Sequence, residues 1–428
     1  MRSLLPLFLL IGTSCYPQGY TSYFTGDVSD VNTPTSFGTV LMGGATESDD
    51  AMRWFLNKAP NGDIVVLRSS GSDGYNNYFF SELGVTVNSV ETLVITSQAG
   101  ATNSYVLQQV ANAEAIWFAG GDQFNYVSFF KDNAMEAALN NFINVKQGVI
   151  GGTSAGMAIL GNHYFDAANG TVTSVMALGN PYHTNVSLGN NDFLAIPYLQ
   201  NVITDTHYDN PDRRGRQVSF MARMATDQGM HPFGIASEEY TAVCIDNDGK
   251  AYVFGDHPIE QDFAYFIFAN CVTTFGPERC TSGQSLDWNR SGEALQVYKV
   301  PGTNMGVNYL DLNDWETGVG GSWERWYVTN GTLMTAPNIN PNCGAILDVE
   351  DFDEETIQLS PNPFENDLVV KLKSDAAIEV FDILGKKVFQ QKDISETTID
   401  TRDWSRGVYL IRITNVDNQL TIKKLIKR

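Results

Sequence analysis

The stretch Gly148-Val149-Ile150-Gly151-Gly152-Thr153-Ser154-Ala155-Gly156-Met157 constrains this chain more than any other. A short apolar run enters a Gly-x-Ser-x-Gly core and leaves without a bulky neighbour. That pattern predicts a sharp strand-to-helix turn that lifts a serine hydroxyl above the edge of a sheet. The small residues are a steric requirement, because a strained turn leaves no room for large side chains. The helix that follows would aim its first amides at the serine, where a developing oxyanion can be stabilised. Gly and Ser are common in loops, so the pentapeptide takes its meaning from its surroundings.

Those surroundings alternate short aliphatic runs with amphipathic ones from Thr39 to about Leu160. Strands are predicted at Val40–Met42, Ile64–Leu67, Thr92–Thr96, Ala115–Phe118 and Val149-Ile150. Helices are predicted at Asp49–Lys58, Tyr75–Leu83, Thr102–Ala111 and Met135–Phe142. Continuous aliphatic strands between helices predict an α/β fold, a mostly parallel sheet with helices on both faces. Chemistry in such sheets sits at the carboxyl ends of the strands. Two more Gly-rich turns fall there, Gly43-Gly44 and Ala119-Gly120-Gly121-Asp122-Gln123. Ordinary turn chemistry explains Gly43-Gly44 as readily as function does. Further on, Asp212–Thr226 reads as a helix. Thr241–Ile245 and Ala251–Phe254 read as a hairpin closed by Asp246-Asn247-Asp248-Gly249, which lacks the later glutamate of a calcium loop.

The two ends differ from this body. Arg2 and the apolar run Leu4–Ile11, followed by small residues, read as an export leader over about residues 1–19, too short to span a bilayer. From Glu355 to the end the chain has 12 Lys and Arg against 11 Asp and Glu, whereas residues 1–354 carry a net charge of −23. The acidic run at 347–355 marks that step and reads as a linker between a body at 20–346 and a tail at 356–428. The tail's short, turn-punctuated apolar runs predict a small all-β sandwich. A whole-chain charge of −22 argues against nucleic-acid binding, which needs clustered Lys and Arg. Export permits disulfides, and Cys271 and Cys280, flanking a turn-like loop, are the expected pair; Cys244 reads as a buried thiol. No Cys-x-x-Cys or His-Glu-x-x-His occurs, so neither a protein-built metal site nor a cofactor is expected.

A serine hydroxyl needs a base, and the base benefits from an orienting carboxylate. Of the five histidines, His207 stands at the end of an apparent strand in Asp205-Thr206-His207-Tyr208. Downstream, Glu238-Glu239 ends the next apolar run. Adjacent residues in extended chain point opposite ways, so only one can face the histidine; the pattern does not choose between them. The order Ser, His, Glu differs from the Ser, acid, His order of α/β-hydrolases.

Four motifs now stand in sequence: Phe118-Ala119-Gly120-Gly121-Asp122-Gln123, Gly151–Gly156, Asp205–Tyr208 and Gly234–Ala242. Together they resemble the cyanophycinase-like serine peptidases, over roughly residues 38–260. The resemblance implies a class I glutamine amidotransferase-like fold, with Ser154 as nucleophile, His207 as base and then acid, and Glu239 as orienting acid. It implies oxyanion donors at Gly121 and Ala155, and substrate contacts at Gln123 and Asp205. It also implies hydrolysis of aspartyl peptides, with cyanophycin as a candidate substrate and release of β-Asp-Arg. An α-aspartyl dipeptidase and a non-catalytic binding protein of the same fold are the alternatives. Family members are sometimes dimers, which leaves a homodimer open. Thr206 stands where true cyanophycinases have glutamine, and residues 256–343 carry no family motif.

In the tail, Leu359-Ser360-Pro361-Asn362-Pro363-Phe364, Val380–Lys386, Gly407–Arg412 and the basic ending Lys423–Arg428 are similar to the type IX secretion sorting domain. That likeness implies passage through the type IX machinery to the cell surface or medium.

Overall fold

The computed structural model describes residues 19–271, 274–339, 357–382, 386–415 and 420–428. The leader and the acidic linker lie outside these. The chain forms two compact units, Met1–Cys343 and Gly344–Arg428.

The first unit is built on a ten-stranded sheet. Its centre is five parallel strands in the order Ser89–Ile95, Asp63–Arg68, Ala115–Phe118, Val149–Thr153 and Gly38–Met42. These strands are aliphatic and buried on both faces, as a parallel sheet requires. Alternation of side chains sorts the two faces. Val40, Ile64, Val66 and Trp117 form a core with Ala51, Met52, Phe55 and Leu56 of the helix Asp49–Asn57. Trp117 meets Phe55 and Phe79 edge-on at centroid distances of 5.3 and 6.1 Å. Each such pair is worth about 1 kcal/mol beyond its buried area. Phe118 packs on the other face, against Tyr126 and Phe130 of the helix Gln123–Phe130. That helix is capped by Asp122, whose side chain accepts the Phe124 N–H. Its eight residues follow the Gly-rich turn and escaped the sequence reading.

Antiparallel strands extend the sheet at both ends. Tyr20–Gly26 pairs with Ser89–Ile95, and the hairpin Ala242–Asp246/Lys250–Phe254 pairs with Gly38–Met42. A second, eight-stranded sheet holds Val202–Asp205 between His163–Phe165 and Phe233–Ser237, all parallel. The described part of residues 256–339, a stretch that carries no family motif, enlarges both sheets. Phe263–Ala269, Leu295–Pro301, Ser322–Thr329 and Thr332–Pro337 extend the second, and Asn308–Asp311 and Gly318–Val319 the first. The helix Arg214–Gln228 covers the second sheet and ends at Gly229 in left-handed conformation (φ 67°).

The expected Cys271–Cys280 bridge is not formed. Cys271 is disulfide-bonded, but Cys280 is a free, buried thiol, packed in the core under the second sheet. Short separation along the chain made the pair look apt; the fold turns Cys280 inward instead. Cys244 is the buried free thiol that its apolar run predicts.

The second unit is one curled five-stranded sheet. The long strand Asp367–Asp382 pairs with Ile357–Ser360, Lys387–Asp400 and Gly407–Asn415, and its register against Lys387–Asp400 shifts after Lys371. Such irregularities bend a strand. The curled sheet encloses Phe364, Leu368, Val370, Ile378, Val380, Ile411 and Leu425.

Candidate active site

The run that opened the sequence analysis forms the strand Val149–Thr153, the turn residue Ser154 and the short helix Ala155–Ala158. Ser154 has φ 54° and ψ −118°, a region costly for a residue with a side chain. The flanking glycines are explained by close approach. A Cβ on Gly156 would lie 2.2 Å from the Phe118 carbonyl oxygen, and one on Gly152 would lie 2.7 Å from the Gly156 carbonyl carbon.

His207 reaches the serine from the second sheet. Its Nε2 is 2.8 Å from Ser154 Oγ, and its Nδ1 is 2.6 Å from Glu239 Oε1. A carboxylate beside Nδ1 accepts the Nδ1–H, which leaves Nε2 as acceptor for the serine hydroxyl proton. His207 itself has φ 46°. His163, the buried histidine of this region, is held by burial at a pKa of about 4 and is unsuited to the task near neutrality.

The strand Gly38–Met42 and its turn tie the three segments together through the main chain. The Met42 carbonyl accepts the Ser154 N–H at 3.1 Å, and the Gly43 carbonyl accepts the His207 N–H at 2.8 Å. The Gly44 carbonyl accepts the Tyr240 N–H at 3.1 Å. Gly44 has φ 122°, and a Cβ there would stand 2.4 Å from His207 Cε1 and Nε2. The Gly43-Gly44 turn is therefore more than a tight connection.

The two glutamates part as adjacent residues must. Glu239 meets His207, and the Glu239 N–H donates to Asp209 Oδ1 at 3.0 Å. Glu238 turns away and accepts from Tyr265 Oη at 2.7 Å and from the Phe263 N–H at 3.0 Å. Burial pushes the Glu238 carboxyl up to about 7, with the nearby Asp209 adding to the rise.

Of the other residues singled out, Gly121 follows the strand Ala115–Phe118 at φ 148°, and Gly120 lies beside Ser154, a Cβ there being 3.5 Å from Ser154 Cβ. Ala155 is buried at the helix start. Gln123 opens the helix Gln123–Phe130 and donates to the Phe165 carbonyl at 3.3 Å. Asp205 is buried against Arg216, which donates from Nε at 2.8 Å and also from Nη2, and it accepts the Thr206 N–H. Both Asp205 oxygens are thus engaged beneath the His207 turn. Arg213 donates from Nη1 to the Thr206 carbonyl at 3.0 Å. Asp209, Arg213 and Arg216 are the residues that sequence reasoning missed. The basic cluster at 213–216 was the only signal, since hydrogen bonds to main chain leave no spacing pattern.

The fold and the site define a peptidase-type arrangement at the carboxyl edge of an α/β sheet, with a separate β-structured tail. The comparisons refine both parts. Residues 358–428 match the secretion system C-terminal sorting domain. The chain is 24% identical over 240 residues to the cyanophycinase of Trichormus variabilis, covering 53% of this chain and 74% of that one. It is 25% identical over 197 residues to the cyanophycinase of Synechococcus elongatus, covering 45% and 55%. Among solved structures, a peptidase from an acI-B1 actinobacterium aligns at 14% identity and a TM-score of 0.39, covering 52% of this chain and 89% of that one. The first unit is thus similar, at a distance in sequence, to peptidases of the cyanophycinase kind, and the tail matches the secretion sorting domain.

Proposed function

We propose that this chain is an exported serine-type exopeptidase that hydrolyses aspartyl peptide bonds in the manner of a cyanophycinase, releasing β-Asp-Arg dipeptides. What carries the reading is the unbroken hydrogen-bond chain from Ser154 Oγ through the His207 ring to Glu239. Ser154 Oγ attacks the carbonyl carbon while His207 Nε2 takes its proton. Glu239 holds the tautomer that makes this transfer possible and stabilises the imidazolium that results. The amides of Gly121 and Ala155 receive the oxyanion of the tetrahedral intermediate. His207 then protonates the leaving amine, and water, deprotonated by the same nitrogen, resolves the acyl-enzyme. The leader and the type IX sorting tail would deliver the enzyme to the cell surface or the medium, where a peptide polymer too large to import can be degraded.

The test incubates residues 20–345 with cyanophycin and with α- and β-linked Asp-Arg peptides, with Ser154→Ala as control, and reads products by mass. Release of β-Asp-Arg by the wild type alone supports the reading. Cleavage of the α-linked dipeptide alone moves the assignment to an α-aspartyl dipeptidase. Absence of fluorophosphonate labelling at Ser154 defeats both and favours a binding protein.

A further inference from the structure

Beyond the residues already placed, the register of the central sheet brings a pair of further serines to the level of the nucleophile. Leu67, Phe118 and Gly152 are partners on three adjacent parallel strands. Two residues past each lie Ser69, Gly120 and Ser154, so these three leave the carboxyl edge side by side. Ser69 and Ser70 face the glycine turn between them and the nucleophile. A Cβ on Gly121 would stand 3.6 Å from Ser69 Oγ and 3.8 Å from Ser70 Oγ, while one on Gly120 would stand 3.5 Å from Ser154 Cβ. The turn is thus bare of side chains, with hydroxyls on one side and the nucleophile on the other.

The serine pair is held firmly. Arg68 donates from Nε to the Ser70 carbonyl at 3.0 Å and from Nη1 to the Ser72 carbonyl at 2.9 Å. Its guanidinium also lies over the Tyr75 ring. Two charge-assisted bonds from one planar group fix the loop's main chain. Ser70 is exposed, whereas Ser69 is 7% exposed. Ser69 Oγ is buried and has no hydrogen-bond partner among the described residues. A buried hydroxyl without a partner carries a desolvation cost, and a ligand that supplies the partner removes it.

We propose that Ser69 and Ser70 form a hydroxyl subsite that positions the residue whose carbonyl Ser154 attacks, by donating to the side-chain carbonyl oxygen of that residue. This rests on the aspartyl-peptide reading above. A hydroxyl, unlike a guanidinium, does not require its acceptor to be charged. The subsite therefore takes the free carboxylate of an α-aspartyl peptide and the isopeptide carbonyl of an arginine-bearing aspartate backbone alike. Both serines are positioning residues, acting on the substrate's placement against Ser154.

The experiment measures kcat and KM for wild type, Ser69→Ala, Ser70→Ala and Ser70→Thr on α-Asp-Arg, its Ala-Arg analogue and cyanophycin. Thermal unfolding and the rate of fluorophosphonate labelling at Ser154 are followed in parallel. The expected result is a rise in KM of about tenfold for each alanine variant on the aspartyl substrates, with the preference for Asp over Ala reduced by a similar factor. Ser70→Thr restores most of the loss. Labelling, which needs no acyl side chain, keeps its wild-type rate. The melting temperature of Ser69→Ala is unchanged or higher, since the lost hydroxyl bonds to none of the described residues. A lowered melting temperature with an unchanged Asp preference would make Ser69 merely structural and overturn the proposal. So would wild-type KM values in both alanine variants. If wild type labels but cleaves none of the three, the aspartyl-peptide reading falls and takes this inference with it. If it cleaves them and the variants match it, this inference falls alone.

Discussion

Gly44 and His207 compete for one volume: a Cβ on the glycine would stand 2.4 Å from two atoms of the imidazole ring. The base can reach Ser154 Oγ only because residue 44 has no side chain. Its φ of 122° adds a second penalty for any replacement.

Gly44→Ala should therefore displace His207 rather than unfold the protein. The expected loss is about 100-fold or more in kcat/KM, from misplacing the base by about 1 Å. Stopped-flow labelling with a fluorophosphonate should slow in parallel, while thermal unfolding shifts by only a few degrees. Full activity in this variant would show that the imidazole has another way to Ser154.

Asp209 holds the main chain of the orienting acid by accepting the Glu239 N–H at 3.0 Å. Asp209→Ala is expected to lower kcat about tenfold through a loosened Glu239, whereas Asp209→Asn keeps an acceptor oxygen and most of the rate. Steady-state kinetics on the same peptide separate the two variants. Equal losses in both would point to the charge rather than the hydrogen bond.

Glu238 links folding to pH. Its folded-state pKa of about 7 lies above its ordinary value of 4.5, because burial outweighs its bonds from Tyr265 and Phe263 and the attraction of Lys299. The native state then binds the more protons between those two values, so stability falls as pH rises from about 4.5 to about 7. The stabilisation is fully present below the lower value and lost on passing the upper one. The size is on the order of 3 kcal/mol. Glu238→Gln stays neutral and should flatten this part of the curve. Urea unfolding at pH 5 and pH 8 for both proteins reads the difference directly. An equal pH slope in wild type and variant would remove Glu238 as its source.

Asp205 and Arg216 form an ion pair with both side chains about 95% buried. Removing one partner leaves the other charged and unpaired, so Arg216→Met should cost about 3–5 kcal/mol. Adding Asp205→Asn to it keeps an acceptor for the Thr206 N–H and should recover most of that loss. A double-mutant cycle in denaturant checks the coupling. Simple additivity would mean that the pair is not coupled.

Much of the site was legible because it is local. Steric demands write Gly152 and Gly156 around Ser154, and strand ends are marked where aliphatic runs stop, which located His207 and the Glu238-Glu239 pair. The choice between those two glutamates came from resemblance alone, since alternation says that they part and not which one faces the base. Features that depend on distant pairing stayed hidden. Residues 256–343 read as motif-free chain because antiparallel strands added to two different sheets have no common period. Cys271 and Cys280 looked matched because they are near in sequence, but Cys280 faces the core. Gly43-Gly44 read equally well as an ordinary turn, because the volume that it clears belongs to a residue more than 160 positions away.

The main-chain bonds from Met42, Gly43 and Gly44 have one more consequence. The segments bearing nucleophile, base and acid each hang from consecutive carbonyls of one strand end. That strand end works as a jig. A displacement of one sheet against the other would carry the three side chains together and keep their mutual spacing. Tolerance is thereby concentrated in a segment that offers the substrate no side-chain chemistry of its own, and the surrounding pocket is left free to diversify without detuning the proton relay.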